Sequence, residues 1–109
     1  MADHISTQLK KGVLDLCVLA LLAKGDSYAY DLARNLAQAV DMGEGTIYPL
    51  MRRLQTDGLV ETYQQESASG PSRKYYRLTE AGLSSLVAQK QEWQYFIASV
   101  NSILGVTHE

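Results

Sequence analysis

The stretch Gly45-Thr46-Ile47-Tyr48-Pro49-Leu50-Met51-Arg52-Arg53-Leu54-Gln55-Thr56-Asp57-Gly58-Leu59-Val60 decides the fold. Ile47, Leu50, Met51 and Leu54 recur at i, i+3, i+4 and i+7, the spacing of one helix face. The opposite face carries Thr46, Tyr48, Arg52, Arg53 and Gln55, all able to donate hydrogen bonds. Gly58 can take the left-handed conformation that ends a helix. Leu59-Val60-Glu61-Thr62-Tyr63 then reads as a strand. A short two-faced helix passing through one glycine into a strand suits the third helix of a winged helix-turn-helix, which lies in a DNA major groove. This recognition helix is expected over about 45–57; with Thr46 as N-cap, Pro49 falls at the third helical position, where its missing N–H does no harm, whereas an earlier start would place it inside the ladder, at a cost.

Upstream, Leu9 to Ala23 reads as a first helix, closed by Lys24-Gly25. Leu9, Val13, Leu16, Cys17 and Ala20 mark one apolar face, and Leu14, Val18, Leu21 and Leu22 a second. A helix apolar on both sides is buried on both sides, and in so small a domain one side is expected to meet another subunit. Asp26 or Ser27 is expected to cap a second helix, Tyr28 to about Val40, with Ala29, Leu32, Ala33, Leu36, Ala37 and Val40 on its core face.

Downstream, 65–71 is a polar loop with turn formers. Ser72 to Leu78 is a second strand, with Lys74, Tyr76 and Leu78 on one face and Arg73, Tyr75 and Arg77 on the other. The two strands make a β-hairpin wing over about 59–78. Thr79 is expected to cap a last helix starting near Glu80. Leu83, Lys90, Ile97 and Leu104 repeat every seven residues, as do Leu86, Trp93 and Val100, which is a coiled-coil-like seam. Glu80 to Leu104 is 25 residues, or roughly 37 Å of helix. Such a length outruns a small winged domain, and a second copy is the expected partner for its stripe. The fold class is therefore mainly α with a small β-hairpin: a winged helix-turn-helix region over 1–79 and a long C-terminal dimerisation helix over 80–109.

Composition agrees with a single ordinary domain: 109 residues, 46% hydrophobic and 20% charged. The longest uncharged stretch, Trp93 to Thr107, is too short and too polar to span a bilayer. No apolar signal-peptide core opens the chain, and a lone cysteine permits no internal disulfide, so a cytoplasmic location is expected. The net charge of −2 counts against nucleic acid at first glance. Its distribution softens this. Between Gly45 and Arg77, five cations (Arg52, Arg53, Arg73, Lys74, Arg77) face three acids (Asp57, Glu61, Glu66), leaving +2. A local basic face on an acidic protein can still track phosphates.

Thr46, Tyr48, Pro49, Arg52 and Arg53 are the DNA-facing candidates on the third helix, and Arg73 and Lys74 those on the wing. The plainer alternatives are a solvated arginine face, a Tyr48 packed on the second helix, and cross-strand pairing of the wing cations with Glu61 or Glu66. Leu14, Val18, Leu86, Trp93, Ile97, Val100 and Leu104 are the dimerisation candidates. Cys17 sits among apolar residues and reads as an inert thiol. His4 and His108 lie near the termini without ligand-spaced neighbours, and no Ser or Cys nucleophile has a histidine base in sight. Glu80 and Glu92 are too isolated for an acid–base pair. No enzyme activity, cofactor or metal is expected.

The blocks Gly45-Thr46-Ile47-Tyr48-Pro49-Leu50 with Arg53-Leu54, Asp57-Gly58-Leu59-Val60, and Arg73-Lys74-Tyr75-Tyr76-Arg77-Leu78-Thr79-Glu80-Ala81-Gly82 are specific at this spacing. With support from Leu14-Asp15-Leu16, Leu21-Leu22 and Ser27-Tyr28-Ala29-Tyr30-Asp31-Leu32, the chain resembles the phenolic acid decarboxylase regulator (PadR) family of bacterial transcription factors over about residues 9 to 104. The single C-terminal helix resembles the family's short-tailed branch. The resemblance implies a homodimeric repressor on a pseudo-palindromic double-stranded DNA operator, sometimes relieved by a small aromatic or drug-like effector. It also implies a place for that effector, because in short relatives a tryptophan at the position of Trp93 faces its symmetry mate. Trp93 and Phe96 are the effector candidates; the alternative is that Trp93 only packs the dimer interface. The wing departs from the pattern, with Ser69-Gly70-Pro71-Ser72 where relatives often carry more glycine and basic residues. The competing readings are a protein-binding winged-helix adaptor without a DNA role, which the acidic net charge favours, and a small-molecule binder built on the dimer cavity.

Overall fold

The structure, a computed structural model, describes residues 13–106. The part of the expected first helix before Val13, together with His4 and His108, lies outside the described residues. Among the described residues the elements run α1 (Leu14–Ala23), β1 (Ser27–Tyr28), α2 (Ala29–Val40), α3 (Glu44–Thr56), β2 (Val60–Ser67), β3 (Gly70–Leu78) and α4 (Glu80–Leu104). This is a helix-turn-helix followed by a wing and a long helix. No helix among these residues is long and apolar enough to cross a membrane.

The core forms where three helices meet the sheet. Leu19 and Val18 of α1, Leu36 of α2, Ile47, Met51 and Leu54 of α3, and Val60 and Tyr76 of the sheet are all buried. Each α3 member belongs to the face read from the i, i+3, i+4 pattern. Leu14 and Val18 were expected at a dimer contact. They are instead 3% and 0% exposed within the subunit's own core, so they offer a second copy no surface. The reason is that α1 packs against α2, α3, β3 and α4 of its own subunit.

The wing differs from the expected simple hairpin. Ser27 and Tyr28 pair antiparallel with Tyr76 and Tyr75, which adds a third strand in the order β1-β3-β2. The second helix accordingly begins at Ala29, with Tyr28 as N-cap and no side-chain cap from Asp26 or Ser27. Most of the expected loop is ordered strand. Ser67 pairs with Gly70 across the turn, and the register shifts between Gln65 and Ser67. Opposite Glu66 the β3 strand carries both Pro71 and Ser72, and a bulge is where a residue without an N–H is tolerated.

Two junctions set the angle of α3. At its start Gly43 is the N-cap, and Thr46 already donates its N–H to the Gly43 carbonyl at 3.0 Å. Thr46 is thus inside the helix rather than its cap, and Pro49 lies at the sixth helical position. The proline removes the bond to the Gly45 carbonyl. Gly45 and Pro49 are both exposed, so water reaches the freed oxygen and the helix is not broken. At its end Gly58 has φ +78, the Leu59 N–H reaches Leu54 O at 3.0 Å, and the Gly58 N–H reaches Gln55 O at 3.0 Å. That pair of bonds is a Schellman motif.

The same junction starts α4. Thr79 Oγ1 accepts from the Gly82 N–H at 3.0 Å and donates to the Gly58 carbonyl at 2.7 Å. Its own N–H reaches Leu59 O at 3.2 Å. The N-cap of the long helix and the C-terminus of the recognition helix are therefore one hydrogen-bonded knot. Beyond it α4 packs on α1 and then runs past the domain. The radius of gyration, 15.9 Å, exceeds the roughly 13 Å of a compact chain of this length.

Candidate nucleic-acid interface

The solvent side of α3 presents Thr46, Pro49, Arg52 and Arg53, all exposed, with Tyr48 half-buried on its flank. Helix periodicity makes this inevitable once Ile47, Leu50, Met51 and Leu54 are committed to the core. The four exposed residues are not equivalent. Arg52 has no carboxylate partner among the described residues. Arg53 donates from Nη2 to Asp15 Oδ1 on α1 at 2.6 Å, and its Nη1 lies 3.5 Å from Asp57 Oδ2. The Asp15 hydrogen bond and charge raise the pKa of Arg53 further above its ordinary value.

Tyr48 divides the two readings of it. Its half-buried ring packs against the core cluster, to which α2 contributes Leu32, Ala33 and Leu36. Burial, and then the nearby charge of Glu44, push its phenol above the usual tyrosine range. Near neutral pH it therefore stays protonated and can donate a hydrogen bond to an oxyanion.

The wing carries its cations on stacked tyrosines. Tyr28, Tyr75 and Tyr63, one from each strand, form a ladder with centroids 6.0 Å and 5.6 Å apart. Arg73 lies over Tyr28 at 4.8 Å and Arg77 over Tyr63 at 5.0 Å, so cations cover both ends. Tyr63 O–H donates to Asp26 Oδ2 at 2.7 Å, anchoring the ladder to the loop before β1. Lys74 projects from the other face, 5.3 Å from the Tyr76 ring. The carboxylate of Glu61 takes Arg77, at 2.9 Å, rather than Arg73 or Lys74. Both wing candidates are thus free of carboxylate partners among the described residues. The ladder was invisible in the sequence, because Tyr28 stands 47 positions before Tyr75 and only the β1–β3 register joins them.

At the far end of the molecule, α4 exposes Trp93, Phe96, Ile103 and Leu104, and Val106 just beyond it is exposed as well. Leu86 packs on the core, while Ile97 and Val100 are half-buried. Trp93 stands between two open grooves. One, about 540 Å³, is lined by Trp93, Ile97, Ala98, Asn101 and Val106 among others. The other, about 290 Å³, is lined by Val13, Leu16, Gln89, Glu92, Trp93 and Phe96. The two effector candidates are therefore neighbours, and α1 contributes to their surroundings. Cys17 is half-buried, and burial raises its thiol pKa, which disfavours the reactive thiolate.

A helix-turn-helix with a cationic exposed face, a β-wing carrying further cations, and a helix that outruns the domain define a winged-helix transcriptional regulator. Residues 18–88 match the model of the transcriptional regulator PadR-like family. A PadR-like transcriptional regulator from Bacillus cereus is 38% identical and superposes with a TM-score of 0.80, covering 89% of this chain and 96% of that one. A PadR-family regulator from Eggerthella lenta is 31% identical with a TM-score of 0.81, covering 97% of this chain and 94% of its own. A transcriptional regulator from Mycobacterium tuberculosis is 27% identical over 85 residues, 77% of this chain and 78% of its own length. The chain belongs to the PadR-like family of transcriptional regulators, whose members are not enzymes.

Proposed function

We propose that the chain is a homodimeric repressor that binds a pseudo-palindromic operator. Each subunit would set α3 in a major groove and the wing beside it, with half-sites one or two helical turns apart. The observation that carries this reading is the set of cations without carboxylate partners among the described residues, Arg52 on α3 with Arg73 and Lys74 on β3, beside Thr46, Tyr48 and Pro49. The winged region over 1–79 would read DNA, and the C-terminal region over 80–109, whose helix α4 ends at Leu104 rather than running on to 109, would join the subunits through Leu86, Trp93, Ile97, Val100 and Leu104. The exposed apolar residues on α4 support that division. Fluorescence anisotropy with the chain's own upstream DNA tests the reading. Saturable binding that resists scrambled competitor and weakens steeply with salt is expected, because phosphate contacts release counterions. Binding that ignores salt, or none, would return weight to the adaptor reading, which the acidic net charge still favours.

An effector would lodge beside Trp93 and Phe96 and change the angle between the two long helices, and with it the spacing of the α3 helices. The knot of Thr79, Gly58 and Leu59 supports such transmission, since α4 cannot tilt without pulling on the end of α3. As Trp93 is the only tryptophan, its fluorescence reports the site alone. Planar aromatic compounds are expected to quench it and to lower operator affinity. A flat response across a broad panel would remove the effector site.

A further inference from the structure

We propose that Asp15 sets the sequence-independent part of this chain's DNA affinity, by competing with backbone phosphate for Arg53. The inference rests on the DNA-binding reading above. Arg53 stands on the flank of α3 nearest α1, beside Thr46 and Pro49, and is bound to Asp15 at 2.6 Å. The two side chains are 52% and 32% exposed, so an incoming oxyanion reaches the guanidinium without unfolding anything. Exposed ion pairs contribute little net stability, and exchanging a carboxylate for a phosphate oxygen keeps the same kind of bond. Space for the exchange is present. A cleft of about 350 Å³ lined by Leu14, Asp15, Thr46, Pro49, Leu50 and Arg53 opens beside the pair.

Arg52 provides the contrast within the same helix, since no carboxylate among the described residues holds it. While Asp15 holds Arg53 at 2.6 Å, with Asp57 at a longer 3.5 Å and unaltered in every variant below, the duplex meets one cation fewer on α3. Phosphate contacts carry no sequence information, so the reduction falls equally on operator and on unrelated duplex. The arrangement gives an acidic regulator a weak background grip on the chromosome without removing the arginine.

The test compares the full chain with Asp15→Asn, Asp15→Glu, Arg53→Gln and the Asp15→Asn/Arg53→Gln double variant. Anisotropy is read on its upstream DNA and on a scrambled duplex across a salt series, with a thermal melt of each variant. Asp15→Asn is expected to tighten binding to both duplexes about five- to tenfold at 0.1 M salt and to steepen the log–log salt slope by about 0.9, one phosphate's worth. Asp15→Glu keeps the competing charge and should track the unaltered chain. With glutamine at 53 the Asp15→Asn gain should vanish. Asp15→Ser serves as a second neutral variant should Asp15→Asn melt early. An unchanged slope, a loss of affinity in a folded variant, or an equal gain with glutamine at 53 would overturn the proposal while leaving the DNA reading intact. If the unaltered chain binds neither duplex, both fall together.

Discussion

Gly82→Ala is expected to destabilise the chain by about 3 kcal/mol, which for a domain of this size lowers the melting temperature by roughly 12 °C or more. Helix propensity alone argues the opposite, since alanine in place of glycine stabilises a helix by up to about 1 kcal/mol. The structure decides between them. A Cβ at Gly82 would collide with the Leu59 carbonyl oxygen and come within 2.7 Å of Leu78 Cδ1. The Leu59 oxygen is backbone and cannot swing aside. It already accepts the Thr79 N–H, and Leu59 also closes the Schellman motif of α3. Relief would require α4 to lift from the wing, loosening the Thr79 bonds to Gly58 and Gly82 together. Urea or thermal unfolding followed by circular dichroism measures the effect. A variant that melts at or above the unaltered chain would show that α4 does not approach Leu59 so closely. A folded but loosened variant should also bind DNA less tightly, because the same contact orients α3.

Arg52→Gln is expected to weaken operator binding by at least tenfold while leaving the melting temperature within a few degrees. The side chain is exposed and makes no ion pair among the described residues, so its removal touches no packed feature, and such substitutions move stability by about 0.5 kcal/mol or less. A lost base-edge contact costs about 1–3 kcal/mol and falls on the operator alone. A lost phosphate contact weakens operator and scrambled duplex alike and reduces the salt slope by about 0.9. The anisotropy series separates the two. Unchanged affinity for both duplexes in a folded variant would remove Arg52, and with it the centre of the exposed α3 face, from the DNA interface. Arg53 is a poorer first test, because its replacement also cuts the tie between α3 and α1.

How much was legible follows how far apart the deciding atoms lie. The bounds of α4 were readable because a cap residue, Thr79, and a seven-residue repeat are local signals, and the helix runs Glu80–Leu104 with Thr79 bonded to Gly82. The end of α3 was readable for the same reason, through Gly58. Its N-cap lies three residues before the expected Thr46, because Gly43 caps without a side chain and Thr46 imitates a cap. Ser27 and Tyr28 lack any strand signal of their own, and β3 alone makes them a strand. The assignment of Leu14 and Val18 to a dimer contact failed similarly, since two apolar faces do not say which neighbour covers each.

The helix order, the core face of α3, the capped long helix and the family resemblance are all readable from the residues alone. All of these depend on periodicity, caps and short motifs, which act over one or two turns. Which residues of α1 are core, that the wing has three strands tied by a tyrosine ladder, that Gly82 admits no side chain, and that Arg53 is held by Asp15 while Arg52 is not, all depend on contacts between residues far apart in the chain. Two adjacent arginines are chemically identical in the sequence. A helix separates them by 100°, and only what packs beside each flank distinguishes a tethered charge from an untethered one.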